Sequence, residues 1–126
     1  MVAKKLKPFH KDHRGTMTHL LDGKTNIVGA VLITCKKGAV RANHYHTHDT
    51  HYSYMLKGSM NYVYQVLNKK GTKKRSIIVK EGEIVHTPPM VGHAMIFLED
   101  SMFLALTTEQ RNQSSYETDT KRIALV

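Results

Sequence analysis

The sequence is short of cysteine, aromatic residues and acid. Its 126 residues include one cysteine, no tryptophan, three phenylalanines and three prolines. With Cys35 alone, no intrachain disulfide framework exists, and a hydrophobic core must hold the fold. No apolar run approaches the ~18 residues that a membrane-spanning helix requires. The longest such run, 27–33, has 7 residues. The N-terminus, MVAKKLKPFH, is basic but has neither the apolar block nor the small-residue cleavage site of a secretory signal. The expectation is a soluble, cytoplasmic, single-domain protein over residues 1–126. Acids are also few: 10 Asp+Glu against 19 Lys+Arg leave a formal charge of +9.

That charge is clustered. Eleven basic residues fall in Lys4-Lys5-Lys7-Lys11, Lys36-Lys37 and Lys69-Lys70-Lys73-Lys74-Arg75. The last group reads as a hairpin turn around Gly71, where lysines are solvated. Nucleic-acid binding needs base-stacking aromatics interleaved with the cations, and these clusters contain none. A nucleic-acid partner is therefore not expected. Anionic small molecules remain compatible with the charge.

Glycine-containing turn signals recur at Asp22-Gly23, Lys37-Gly38, Lys57-Gly58, Lys70-Gly71, Glu81-Gly82 and Val91-Gly92. Short β-branched and aromatic runs lie between them, at 27–34, 52–56, 60–67, 77–79, 83–86, 94–98 and 102–107. This pattern predicts an all-β sandwich or barrel, and no stretch carries a helical period. Residues 1–20 read as an N-terminal arm and 109–120 as an irregular polar stretch within a tail over 108–126. Residues 122–126 supply a closing strand. Runs 52–56 and 60–67 are apolar on both faces. One face is the core; the other is covered either by the domain's own second sheet or by another subunit, and a homodimer is the economical reading.

Histidine is abundant, with nine residues, four of them in 44–51. In His44-Tyr45-His46 both imidazoles point to one face of a strand and can share an ion. The pair alone is weak, because H-x-H arises by chance in a histidine-rich chain. Its frame is more specific. Gly38 is followed by five residues, His44-x-His46, four residues, His51, six residues and Gly58. Downstream, Gly82 is followed by five residues and Pro88, with His93 five beyond.

The frame resembles the cupin family, whose motifs read G(X)5HXH(X)3-4E(X)6G and G(X)5PXG(X)2H(X)3N. They are matched here at 38–58 and 82–97. The resemblance implies an all-β double-stranded β-helix, the jelly-roll cupin barrel. It also implies one divalent transition metal ion (Fe, Zn, Ni, Mn or Cu) held by His44, His46, His51 and His93. Three positions depart from the motifs: His51 stands for Glu, Met90 for Gly and Phe97 for Asn. His48 is the alternative fourth ligand, and metal-free histidine chemistry is the alternative to an ion. The stretch Arg41-Ala42-Asn43-His44-Tyr45-His46 resembles R-G-N-H-Y-H in cupins of polysaccharide and nucleotide-sugar gene clusters, with Ala42 in place of glycine. Arg41 could clamp a phosphate or carboxylate.

Inward parity from His51 and His93 gives Met55, Met95 and Phe97 as a substrate-facing wall, or simply as barrel filling. His86 reads as a surface histidine and Cys35 as a small buried hydrophobe. The expected function is a metal-dependent isomerase or epimerase acting on a small carbohydrate. A metal-dependent dioxygenase and a non-catalytic small-ligand cupin are the alternatives. No motif position carries an acid. An isomerase would therefore rely on metal hydroxide or His48 as its base.

Overall fold

The computed structural model describes residues 3–23, 25–110 and 112–126. The strands are β1 (Ala3–Lys5), β2 (His10–Asp12), β3 (Gly15–Met17), β4 (Gly29–Cys35), β5 (Val40–His46), β6 (His51–Lys57), β7 (Ser59–Val66), β8 (Arg75–Lys80), β9 (Glu83–Thr87), β10 (Val91–Phe97), β11 (Ser101–Thr107) and β12 (Thr120–Arg122). One short helix, α1 (Gln113–Asp119), precedes β12. Two five-stranded antiparallel sheets are ordered β1-β9-β6-β11-β4 and β12-β5-β10-β7-β8, with β2 and β3 forming a separate hairpin. This is the jelly roll that the turn spacing and motif frame predict.

Alternation decides which residues fill the barrel. Ser53 and Met55 on β6 and Phe103 and Ala105 on β11 point inward, as do Met60 and Tyr62 on β7 and Met95 and Phe97 on β10. Phe97 stacks on Phe103 at 5.7 Å across the two sheets. Gly58, the last glycine of the first motif, turns β6 into β7 at φ +87, and a Cβ there would overlap the Ser101 side chain. Only glycine meets both demands.

Three expectations need correction. The 109–120 stretch is not all irregular, because it contains α1. Seven residues make barely two turns, too short for a period to show in the sequence. The closing strand begins earlier than 122–126: β12 pairs Thr120, Lys121 and Arg122 with His46, Tyr45 and His44. Finally, the second face of β7 is covered from within the chain. Val63 is buried with Ala94 and Leu125, and Ile96 and Ile123 pack against them. The C-terminal residues therefore do what the two-sided pattern assigned to a partner. The outer face of β6 stays more open, with Leu56 exposed and Tyr52 and Tyr54 half-buried.

Candidate active site

β5 carries His44 and His46 to the inside of the barrel, as the H-x-H period requires. β10 lies beside it and pairs His93 with His44. The register slips between His93 and Ala94, and β5 bulges there, with Ala42 at φ 70 and Asn43 at φ 54. Asn43 uses the bulge to hold the chain end: its Oδ1 accepts from the Leu125 and Val126 amides at 3.1 and 3.2 Å. His51 opens β6 on the facing sheet.

The four rings surround one space. Ring centroids are 4.7 Å apart for His44–His46 and for His44–His93, and 4.4 Å for His46–His51. Their ligand atoms divide differently. Those of His44, His46 and His93 lie within 4.8 Å of one another, whereas His51 groups with His46 and Asp49. Among the described residues no such group holds all four histidines together. Within the three, His93 Nδ1–H donates to the Val91 carbonyl at 3.1 Å, which leaves Nε2 as the ligating nitrogen. His46 Nδ1 stands 3.3 Å from Thr120 Oγ1 and 3.4 Å from Asp119 Oδ2. This donor set fits a divalent transition ion.

His51 has another partner. Its Nε2 is 2.8 Å from Asp49 Oδ2, and both residues are buried. Asp49 Oδ1 accepts from the Thr108 and Glu109 amides at 3.0 and 3.1 Å. Burial alone would raise the Asp49 carboxyl. The His51 hydrogen bond and charge and the Glu109 amide outweigh it and hold the carboxyl below its ordinary value. An ionised carboxylate only accepts, so His51 Nε2–H is the donor to Asp49 Oδ2. The site thus has an acid that the motif positions lacked. It falls in the variable gap of the first motif, which fixes no residue there. Its place two residues before His51 was the available signal.

A cavity of about 130 Å³ is lined by Arg41, His44, His51, His93, Met95 and Tyr116, among others. Arg41 is fixed by Nε donating to Cys35 Sγ and Nη2 to the Thr34 carbonyl, both at 3.0 Å. Met95 is on the wall as parity implied. Met55 and Phe97 are fully buried in the core beneath it and do not line it. Tyr116, from α1, was not expected, since no sequence signal ties residue 116 to the histidines. His48 does not join the group. Its side chain is 78% exposed and bonds Asp119 Oδ1 at 3.2 Å. His86 stacks on Tyr52 on the outer face of the other sheet, away from the site.

The cupin family model matches residues 18–123. The chain belongs to the cupin family. Among curated proteins, no sequence matches it. Among solved structures, this cupin is similar to a double mutant of the QdtA 3,4-ketoisomerase from Thermoanaerobacterium thermosaccharolyticum in complex with TDP. The identity is 25% over 96% of this chain and 86% of that one, with a TM-score of 0.75. It also shares its fold with the dTDP-4-dehydrorhamnose 3,5-epimerase from Sulfolobus tokodaii (20% identity, 98% and 75% coverage, TM-score 0.75). The rmlC epimerase of Mycobacterium tuberculosis gives 15% identity, 98% and 68% coverage and a TM-score of 0.78. No helix among the described residues is long and apolar enough to cross a membrane.

Proposed function

We propose that this cupin is an isomerase or epimerase of a keto sugar carried on a nucleoside diphosphate, with His51 as its base. The observation that carries this reading is the buried His51–Asp49 pair, 2.8 Å between Nε2 and Oδ2, with His51 on the cavity wall. Removing a proton beside a carbonyl needs a base held in a fixed orientation. Asp49 fixes the His51 tautomer and balances the imidazolium that forms. The C–H bond breaks, its electrons become the enolate, and His51 holds the proton. Return of a proton from water to the opposite face of the same carbon gives the epimer; return of the His51 proton to the former carbonyl carbon, with the proton of the adjacent hydroxyl passing to the old carbonyl oxygen, gives the shifted ketone. Arg41 supplies a fixed positive charge for a phosphate or the enolate oxygen. The similarity to a 3,4-ketoisomerase supports the substrate class. A cavity of about 130 Å³ takes a sugar ring but not the nucleotide with it.

The test is proton exchange. TDP-4-keto-6-deoxyglucose, the ligand of a QdtA mutant structure, is incubated with the protein in D2O and read by NMR. Deuterium should enter beside the carbonyl, and His51→Asn should slow its entry by about 10²-fold or more while the protein stays folded. No incorporation by the unaltered protein, or full incorporation by the variant, overturns the reading.

A second reading keeps the metal, on the observation that the ligand atoms of His44, His46 and His93 lie within 4.8 Å of one another. A bound Fe, Zn, Ni, Mn or Cu ion would supply Lewis acidity, or dioxygen activation in the case of iron or copper. Elemental analysis of protein purified without a nickel column should then find about one ion per chain. Less than about half an equivalent after reloading removes this reading. We also propose a homodimer through the outer face of β6, β11 and β4. Cytoplasmic localisation remains our reading, and the unpaired Cys35 agrees with a reducing compartment.

A further inference from the structure

We infer that Asp119 is a positioning residue for the His51–Asp49 pair, an inference that rests on the isomerase or epimerase reading. Asp119 ends α1 and lies 70 residues beyond Asp49 in sequence. Its carboxylate collects the turn that joins His46 to His51. Oδ1 accepts from the Thr47 amide at 3.1 Å, the Thr47 hydroxyl at 2.7 Å and the His48 amide at 2.7 Å. Oδ1 also lies 3.2 Å from His48 Nδ1, and Oδ2 accepts from the Asp49 amide at 3.1 Å. Three successive backbone N–H groups therefore converge on one side chain, and the third belongs to the residue that orients His51. The other end of that link is equally fixed, because Asp49 Oδ1 is held by the Thr108 and Glu109 amides.

The placement goes against local preference. A carboxylate at a helix C-terminus faces the negative end of the helix dipole, and it costs α1 stability to put it there. A residue that breaks a local rule needs a compensating interaction elsewhere. Here the compensation is the 47–49 turn. Without Asp119 those amides turn to water and the Asp49 backbone loses its anchor. His51 then keeps its place on β6 but not its alignment with the carboxylate.

The experiment compares the unaltered protein with Asp119→Asn and Thr47→Val. Asparagine keeps the size but presents an NH2 where the Asp49 amide or the other donors need an acceptor. Deuterium exchange into TDP-4-keto-6-deoxyglucose should lose about 10²-fold in kcat with KM unchanged, the scale of a small misplacement of a reacting group. Thr47→Val removes one bond to the same carboxylate and should lose about fivefold. It serves as the measure if Asp119→Asn does not fold. In parallel, histidine ring 1H–15N spectra should give His51 as a single Nε2–H tautomer in the unaltered protein and a mixture in the variants. Unchanged kcat and unchanged His51 ring signals overturn the inference. So does a loss of activity that only tracks the loss of folded protein. If the unaltered protein exchanges nothing, the functional reading fails, and the ring spectra still decide whether Asp119 sets the His51 tautomer.

Discussion

Ala42 and Met90 show at the residue scale how a departure from a motif registers in the backbone. Both stand where the resembled sequences have glycine, and both sit at positive φ, 70 and 65. The backbone has kept a conformation suited to glycine while the side chain has changed. A non-glycine residue there costs about 1–2 kcal/mol. Restoring glycine relieves that strain but adds about 0.5–1 kcal/mol of unfolded-chain entropy. Ala42→Gly should therefore stabilise by about 0.5–1 kcal/mol, a rise of about 2–4 °C in Tm. Met90→Gly should gain less, because it also removes a partly buried side chain. A calorimetric scan in which Ala42→Gly melts lower than the parent would refute the strain argument. His44, His46, His51 and His93 were legible because their spacing is tied to strand period and fixed glycines. Asp49 was less so, since its gap has no fixed length in the motif. Asp119 and Tyr116 were not legible. They reach the site through a tail whose path no local pattern announces.

Among elements, the C-terminal segment departs most from its sequence reading. It was expected to be largely irregular, yet α1 places Tyr116 on the cavity wall and Asp119 on the 47–49 turn, and Leu125 fills the space outside Val63. The strands were readable because alternation and turn glycines repeat many times. Such a short helix offers no repetition. The segment is also acid-sensitive. Burial would raise the Asp119 carboxyl, but hydrogen bonds from Thr47, His48 and Asp49 prevail and take it from its ordinary 3.8 to about 2. Asp49 is shifted in the same direction. With both carboxyls depressed in the folded state, the unfolded chain takes up protons first as pH falls. Their stabilisation is complete above about pH 5 and disappears between about pH 4 and 2. Urea midpoints should be flat from pH 7 to 5 and fall below pH 4, and Asp119→Asn should make that fall shallower. Equal slopes for parent and variant would show that the carboxylate contributes nothing to acid stability.

For the whole molecule, the informative feature is the unequal cover on the two sheets. The sheet holding β5, β10 and β7 is covered by the chain's own end, whereas the sheet holding β6, β11 and β4 presents an apolar row to solvent. In register, Tyr54 faces Leu104 and Leu104 faces Leu32 across three strands. A second row runs from His86 through Tyr52 and Leu106 to Ala30. Leu32 is 58% exposed and Leu56 40%. The two-sided sequence pattern covered two strands, and of these only β6 keeps an open outer face. The basic excess does not oppose association here, because Lys69, Lys70, Lys73 and Arg75 line a separate groove beside the β7–β8 turn. A self-complementary contact about a twofold axis would bring Leu32, Leu104 and Tyr54 of one protomer against the same row of its partner. Light scattering should give about twice the 14.3 kDa chain mass. Introducing charge with Leu32→Glu and Leu104→Glu should return the monomer, because two buried unpaired carboxylates per copy outweigh the contact. A monomeric parent, or a double variant that still dimerises, would move the contact to another face. Because His51 and Tyr52 alternate on β6, a dimer formed here would stiffen the strand that opens with His51. Monomerising variants should then slow deuterium exchange while leaving the His51–Asp49 pair itself intact.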